Sequence, residues 1–134
     1  MSEQSTDLDR EVEKTLRYWV GGVVNHNRAI IEHLHDDDFI CTGLDAAPMD
    51  RATHVEMELD TKDVSIEFFN LINRDFGAYV ITWGRQTLTA NVPVSDFSAA
   101  FADGAAEGIE LRFTLVWRRG AEGLRILTFH SSAC

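Results

Sequence analysis

One histidine near the end of the sequence is the strongest candidate for chemistry. His130 closes an alternating apolar run, and an imidazole can take up or donate a proton near neutral pH. Tyr18, on a predicted helix, could polarise a carbonyl oxygen through its hydroxyl, and Trp83, on a predicted strand, could stack on a flat ligand. If the three side chains share one cavity, the chemistry is ligand binding or acid/base catalysis. If they do not, a histidine bonded into the core and two core aromatics explain the same pattern.

The last part of the sequence, residues 109–132, predicts a β-hairpin. Two runs of alternating apolar, β-branched and aromatic residues flank a four-residue loop with two glycines, which permit a tight reversal. That loop length sets a register in which Trp117 lies opposite Ile126 and Phe113 lies opposite His130. The face with His130 is then an apolar wall, and we expect Phe113, Trp117 and Thr128 to contact a ligand there. The residues predicted on this face are Ile109, Leu111, Phe113, Leu115, Trp117, Leu124, Ile126, Thr128 and His130.

A second group of polar residues raises the question of a metal site. His33 and His35 precede an acidic run at residues 36–38, and imidazole and carboxylate are ligands for zinc or iron. Their spacing matches no established metal-site motif, and consecutive aspartates point in different directions. Strand alternation also turns the nearby Cys41 and Thr42 to opposite faces. We therefore expect a solvated acidic turn, and the sequence predicts no metal ion and no cofactor.

Length and composition favour a single domain over residues 1–134. The formal net charge of −10 at pH 7 opposes binding to a phosphate backbone, so we expect no nucleic-acid partner. No apolar run reaches the length of a membrane span, and the polar, acidic start lacks a signal-peptide pattern. Two cysteines are too few for a disulfide framework. We expect a cytoplasmic protein with reduced thiols and no membrane contact.

Two helices are predicted first. Thr6 or Asp7 can cap an amphipathic helix of about 18 residues, in which apolar side chains recur every three or four positions. A pair of glycines near its end marks either a close packing contact or a break. Asn25 or Asn27 ends this helix and caps a shorter one over residues 28–35.

The acidic turn then leads into a short strand at residues 39–43, and a loop over residues 44–50 follows. Asp50 can cap a third helix over residues 51–59. In that helix, His54 has no visible partner in the sequence pattern. The predicted inward residues are Val55 and Leu59, and the predicted outward residues are Glu56 and Glu58.

Two long strands are predicted over residues 64–72 and 78–92, and both are apolar on two faces. A sheet of this kind needs two covers. Helices can cover one face, and a second subunit is the simplest cover for the other, so we expect a homodimer. Residues 94–108 form an excursion with a short helix from Ser95 or Asp96, which is either a mobile lid or an ordinary surface insertion.

The order of these elements resembles the nuclear transport factor 2-like superfamily and, within it, the SnoaL-like domains. The matching features are the amphipathic first helix, the DDDFICTG turn into the first strand, the VWRR segment and the closing FHSS. The resemblance implies an α+β fold in which a cone-shaped, curved antiparallel (mixed) β-sheet packs on three N-terminal helices. It also implies a pocket at the open end of the cone and dimerisation through the back of the sheet.

The ketosteroid isomerases of this superfamily allow a test at the level of single residues. They use a tyrosine in the first helix as oxyanion donor, a general-base aspartate in the first strand and a protonated aspartic acid in a later strand. Tyr18 matches the tyrosine, whereas Thr42 stands at the base position and Thr114 or Leu115 stands near the second acid. A threonine hydroxyl cannot take a carbon-bound proton near neutral pH. The steroid isomerase mechanism is therefore not expected in this chain.

The predicted function is binding of a hydrophobic small molecule in the pocket, with cofactor-free acid/base chemistry such as isomerisation, cyclisation or dehydration. His130 and Tyr18 are the predicted catalytic residues. The predicted ligand-binding residues are Trp83, Phe113, Trp117, Thr128 and Thr42. The alternative is a non-catalytic dimerisation or protein-assembly module, in which the same residues fill the core.

Overall fold

Three helices precede most of the sheet in the computed structural model, which describes residues 6–42, 48–91 and 105–133. The first helix begins at a capping box, in which the Thr6 hydroxyl accepts from the Asp9 backbone N–H and the Asp9 carboxylate accepts from the Thr6 N–H. Asn27 and Asp50 cap the second and third helices through their side-chain oxygens. The helices are α1 (Asp7–Val24), α2 (Arg28–Leu34) and α3 (Arg51–Asp60).

In the described part of the chain, a six-stranded sheet with the order β2-β1-β6-β5-β4-β3 packs against these helices. Its neighbouring strands are antiparallel except β1 and β6, which run parallel. This α+β arrangement confirms the predicted fold class. The strands are β1 (Ile40–Thr42), β2 (Pro48–Asp50), β3 (Lys62–Asp75), β4 (Tyr79–Asn91), β5 (Ala105–Gly120) and β6 (Gly123–Ala133).

Two stretches predicted as connections contain strand. Residues 48–50, predicted as loop, form β2 and pair with β1. Strand β5 begins at Ala105, inside the stretch predicted as an excursion over residues 94–108. The short helix predicted within that stretch lies outside the described residues.

The final hairpin contains a β-bulge that changes its register. The predicted pairing of Trp117 with Ile126 is confirmed, but beyond it Val116 pairs with Thr128, so Leu127 is an extra residue on β6. His130 therefore lies opposite Thr114, and its predicted pairing with Phe113 is wrong. A shift of one residue moves every later side chain to the other face of the strand. The predictions that Thr128 and His130 face the core are therefore wrong as well.

The core lies between α1 and the inner face of the sheet. It includes the fully buried side chains of Val12, Leu115 and Trp117. The Trp117 indole Nε1–H donates to the Thr82 hydroxyl over 2.9 Å, so the largest buried side chain also has its polar atom satisfied. Phe129, beyond the bulge, packs on this core from the inner face, on which Thr128 and His130 were predicted. None of the described helices is long and apolar enough to cross a membrane.

Candidate functional site

A cluster of two imidazoles and one carboxylate lies buried between α2, α3 and the sheet. His35 follows the last residue of α2, and His54 and Glu58 lie one helical turn apart on the same side of α3. All three residues are at most 6% exposed. A predicted outward position for Glu58 is therefore wrong. The inward side of α3 is wide enough to include His54, Val55 and Glu58 together.

The Glu58 carboxylate is the centre of this cluster. Its Oε2 atom lies 2.6 Å from His54 Nε2 and 3.6 Å from His35 Nε2. Its Oε1 atom accepts a hydrogen bond of 3.0 Å from the indole N–H of Trp19 on α1. Glu58 thus connects all three helices through side-chain contacts.

The charge state of Glu58 follows from these neighbours. Burial by itself raises the pKa of a carboxyl group, but the attraction and the hydrogen bond of His54 oppose burial, and the pKa of Glu58 lies below its usual range. An ionised carboxylate can only accept hydrogen bonds. The short contact with His54 is therefore a donation from His54 Nε2–H to Glu58.

His35 has one satisfied and one unsatisfied nitrogen. Its Nδ1 atom lies 2.7 Å from the carbonyl oxygen of Ile31, which can only accept, so Nδ1 bears the proton. Its Nε2 atom has no hydrogen-bond partner within residues 6–42, 48–91 and 105–133, and the side chain is fully buried. In a neutral ring this nitrogen presents a lone pair towards Glu58. Such an unsatisfied buried atom is costly unless something else binds it.

Cys41 completes the surroundings of His54. Its Sγ atom lies 3.7 Å from His54 Nδ1, on the side of the ring away from Glu58. Burial, with a smaller contribution from the Glu58 charge, raises the pKa of the Cys41 thiol to about 11. The thiol is therefore neutral at pH 7, and its sulfur can accept a weak hydrogen bond from His54 Nδ1–H. These contacts fix the orientation of the His54 ring.

A small cavity of about 90 Å³ opens beside the cluster. His54, Glu58 and Trp19 form its polar end, and most of its remaining wall is apolar, with Phe68 and Phe129 among the lining residues. The Trp19 ring stacks on the Phe68 ring, with 6.2 Å between the ring centroids, and packs edge-on against the Phe129 ring, with 5.7 Å between the centroids. The cavity thus combines an aromatic wall with a charged acid/base pair, which is the character expected of a ligand site.

A further unsatisfied polar atom belongs to a residue that lines this cavity. Gln86 on β4 is 5% exposed and lines the cavity. Its Oε1 atom has no hydrogen-bond partner in the described part of the chain. A bound molecule with two polar groups could therefore form hydrogen bonds with both Gln86 and Glu58.

The predicted catalytic residues do not meet in this cavity. His130 is exposed on the outer face of the sheet, because the β-bulge precedes it. Tyr18 is 50% exposed and lines a separate surface groove that includes Glu122. Trp83 is 38% exposed and lies opposite Thr114, on the same outer face as His130. The structure thus places these three side chains in two locations, both away from the cluster.

The other predicted ligand contacts are also divided. Phe113 and Trp117 face inward as predicted. The Phe113 ring packs against the ring of Phe68, a lining residue of the cavity, with 5.5 Å between the ring centroids. Thr128 faces outward with Val116. The backbone of Thr42 pairs with His130 in the parallel β1–β6 contact, while its side chain lies outside the described part of the chain.

The sequence contained one usable signal for the cluster. His54 and Glu58 stand four residues apart, which places both on one side of a helix. The contacts of Glu58 with Trp19 and His35 join residues 39 and 23 positions apart, and no periodicity in a single sequence predicts such contacts.

A larger groove of about 820 Å³ between α1 and β3 has no imidazole among its lining residues.

Comparison with solved structures identifies the fold. An NTF2-like protein from Cytophaga hutchinsonii matches with a TM-score of 0.79 at 10% identity, covering 97% of this chain and 100% of that one. A candidate dehydratase of the NTF2-like family from Streptomyces avermitilis matches with a TM-score of 0.74 at 12% identity, over 97% and 99% of the two chains. A candidate calcium/calmodulin-dependent kinase II association domain from Exiguobacterium sibiricum matches with a TM-score of 0.77 at 10% identity, over 99% and 98%.

Sequence comparison adds no closer relative. No family model matches the chain, and no curated protein matches it. The structural matches confirm the predicted nuclear transport factor 2-like fold, whereas the SnoaL-like assignment stays a prediction. At these identities the likeness concerns the fold alone, so function has to be argued from the site.

Proposed function

We propose that this chain, which has the nuclear transport factor 2-like fold, binds a small and largely apolar molecule in the cavity beside His54 and Glu58. The single observation that supports this proposal is an ionised carboxylate, paired with an imidazole, at the end of an aromatic-walled cavity. A reaction there would be acid/base chemistry, such as isomerisation, cyclisation or dehydration, because the pair can take up and donate a proton. The fold shared with a candidate dehydratase agrees with this class of reaction.

The size of the cavity limits the ligand. An apolar cavity of about 150 Å³ holds a molecule of the size of benzene, and this cavity measures about 90 Å³. A ligand of a few heavy atoms fits directly. A ring system of steroid size would require side chains such as Phe129 and Leu88, which line the cavity, to move aside. The proposed ligand class is therefore small alcohols and ketones of a few heavy atoms.

Titration with small molecules tests this proposal. The protein has three tryptophans, and the indole N–H of Trp19 lies at the polar end of the cavity, so its NMR signal reports binding. We expect small ketones or alcohols to shift this signal and leave the Trp117 signal, which comes from the core, unchanged. If no member of a fragment set shifts the Trp19 signal, the ligand proposal is wrong.

Two variants sharpen that test. Glu58→Gln removes the charge and keeps the shape of the side chain, and we expect it to weaken binding about tenfold or more, as lost charge-assisted hydrogen bonds do. Glu56→Gln is the matched control on the same helix, because Glu56 is exposed and paired with Arg28 away from the cavity. Equal affinity for both variants would show that the ligand binds elsewhere. Circular dichroism establishes that each variant is folded.

A second candidate function is assembly into a homodimer through the outer face of the sheet. Ile72, Tyr79 and Trp83 are 52%, 42% and 38% exposed on this face, and Ile81 and Val116 lie half-buried and paired beside them. Large apolar side chains that share one face favour a partner surface. Dimerisation and ligand binding use opposite faces of the sheet, so the two proposals are compatible.

We also infer a cytoplasmic location, which the free thiol of Cys41 supports.

A further inference from the structure

We propose that His35, His54 and Glu58 form a binding site for a divalent transition-metal ion, of which Zn²⁺ fits the ligand set best. The site shares two residues with the proposed ligand cavity. The inference does not need that function, since metal uptake can be measured on the protein alone. Two imidazoles and one carboxylate are a known ligand combination for zinc and related ions.

The three ligand atoms already lie close together. One ligand atom from each residue lies within 4.8 Å of the other two. Bonds of about 2.0–2.2 Å to a tetrahedral ion place neighbouring ligand atoms roughly 3.3–3.6 Å apart. The Glu58 Oε2 atom lies 2.6 Å from His54 Nε2 and 3.6 Å from His35 Nε2. Side-chain shifts on the order of 1 Å would therefore give a regular site.

His35 provides an independent indication of a bound cation. Its Nδ1–H is held by the Ile31 carbonyl oxygen at 2.7 Å, which leaves the Nε2 lone pair directed into the cluster. Histidines that bind metals characteristically donate their other N–H to a carbonyl or carboxylate in this way. The Nε2 atom is fully buried and has no hydrogen-bond partner among the described residues. It faces Glu58 Oε2, a second electron-pair donor, and a cation between them would satisfy both atoms.

The neighbours of the other two ligands fit the same interpretation. The Trp19 N–H donates a hydrogen bond to Glu58 Oε1, which leaves Oε2 available to bind the ion. The Nδ1 atom of His54 lies next to Cys41 Sγ, which leaves Nε2 for the ion once its proton has been released. Partners of this kind fix the orientation of metal ligands and tune their affinity.

Among the residues that the structure describes, three supply candidate ligands at this place, and two of them, His54 and Glu58, line the cavity. A fourth coordination position that faces a cavity is typical of zinc sites that bind a water molecule or a substrate oxygen, whereas structural zinc sites have four protein ligands. The chemical class of the additional ligand is thus an oxygen donor, such as water, a carbonyl or an alcohol. This class coincides with the small molecules proposed for the cavity.

A proton on His35 is the rival explanation, because an imidazolium could also pair with Glu58. The separation of 3.6 Å between His35 Nε2 and Glu58 Oε2 is longer than a hydrogen bond. The two explanations differ in a measurable way, since a protonated His35 leaves no room for an ion between the three side chains.

The test is metal uptake by the full-length protein after treatment with a chelator. We expect calorimetry with Zn²⁺ to show one site per chain, and mass spectrometry of the native protein to show one bound ion. Co²⁺ should give the intense visible absorption of a four-coordinate ion, and Zn²⁺ should raise the melting temperature, because it binds the folded state. Failure of the wild-type protein to take up one equivalent of either ion would overturn the proposal.

Matched variants separate this site from surface histidines. His35→Gln should weaken Zn²⁺ binding about a hundredfold or more, beyond the 10–100-fold seen when only an outer partner of a metal ligand is lost. His33→Gln should leave the affinity unchanged, because His33 is exposed two residues away. Unchanged affinity in His35→Gln, or loss of uptake in His33→Gln, would overturn the proposal. If His35→Gln does not fold, the Co²⁺ spectrum of the wild-type protein decides, since octahedral coordination by surface carboxylates absorbs only weakly.

Failure of the metal proposal can be told apart from failure of the ligand proposal. Shifts of the Trp19 indole signal by small molecules in chelator-treated protein, together with no Zn²⁺ uptake, would remove the metal site and keep the ligand cavity. One equivalent of bound Zn²⁺ without any small-molecule shift would do the reverse.

Discussion

The indole N–H of Trp19 donates a hydrogen bond of 3.0 Å to Glu58 Oε1, and this contact joins the first helix to the third. The two residues are 7% and 6% exposed. A buried charged acceptor that loses its donor keeps its full desolvation cost. The bond is therefore important both for the orientation of Glu58 and for stability.

We predict that Trp19→Phe lowers the free energy of unfolding by about 1–3 kcal/mol, because Glu58 Oε1 is left without a partner while most of the aromatic packing is kept. Urea unfolding followed by far-ultraviolet circular dichroism measures the change. Trp83→Phe is the matched control, since Trp83 lies on the outer face, and it should change stability by less than about 0.5 kcal/mol. Equal losses in the two variants would contradict a specific role of the Trp19 hydrogen bond.

The two adjacent glycines of α1 should respond in opposite directions to alanine. A Cβ atom at Gly21 would meet nothing within 4 Å. Gly21→Ala should therefore raise the free energy of unfolding by up to about 1 kcal/mol, because alanine has the higher helix propensity. A Cβ atom at Gly22 would lie 2.7 Å from Ile30 Cγ2 and 3.2 Å from Ile30 Cβ. That clash is close to the α2 backbone and cannot be relieved by a rotation, so Gly22→Ala should lose about 1–3 kcal/mol. Thermal unfolding of both variants provides the comparison, and a stabilising Gly22→Ala would show that the helices can separate freely.

Cys41 should be unreactive in the native protein at pH 8. Its thiol has a pKa raised to about 11, and only the thiolate reacts with iodoacetamide. A raised pKa means that the thiolate forms only as the pH rises towards 11. In a Cys134→Ser background, we expect alkylation at pH 8 to be roughly a hundredfold slower than for the same protein in urea, where the thiol has its ordinary pKa of about 8.5. Native and unfolded rates within a few-fold of each other would refute this.

The outer face of the sheet should determine the oligomeric state. Wild-type protein at micromolar concentration is expected to sediment with twice the mass of one chain, and Trp83→Glu should produce the single-chain mass, because it places a charge in the apolar patch. Tyr18→Glu is the control, since Tyr18 is similarly exposed but lies on α1. A wild-type monomer, or dissociation by both substitutions, would rule out this face as the interface.

The helices were predictable because their signals are local. Thr6, Asn27 and Asp50 are cap residues that act within three positions of themselves, and the apolar stripe of α1 repeats through the whole helix. These signals hold regardless of the tertiary environment. The fold class followed from the order of such elements, and the structure confirms it.

The site was not predictable for two physical reasons. A β-bulge in β6 follows from how the strands fit together, and a single inserted residue there reverses the facing of Thr128 and His130. Glu58 is a charged residue on an otherwise ordinary helix, so hydropathy placed it in solvent. Its burial becomes favourable only through Trp19, His35 and His54, which the chain brings together by folding.

The two bulges in β3 have a consequence for association along strand edges. This strand is 14 residues long and is the outermost strand on its side of the sheet among the described residues, so a straight β3 would offer an open row of backbone groups to another chain. Register shifts interrupt its pairing between Lys62 and Ser65 and between Phe69 and Ile72. Each interruption contains a residue with a left-handed backbone, Asp63 with φ 56° and Asn70 with φ 55°. Because the edge is bent at two places, the sheet of one molecule cannot be extended in register by the sheet of the next, and growth into fibrils along this edge is disfavoured.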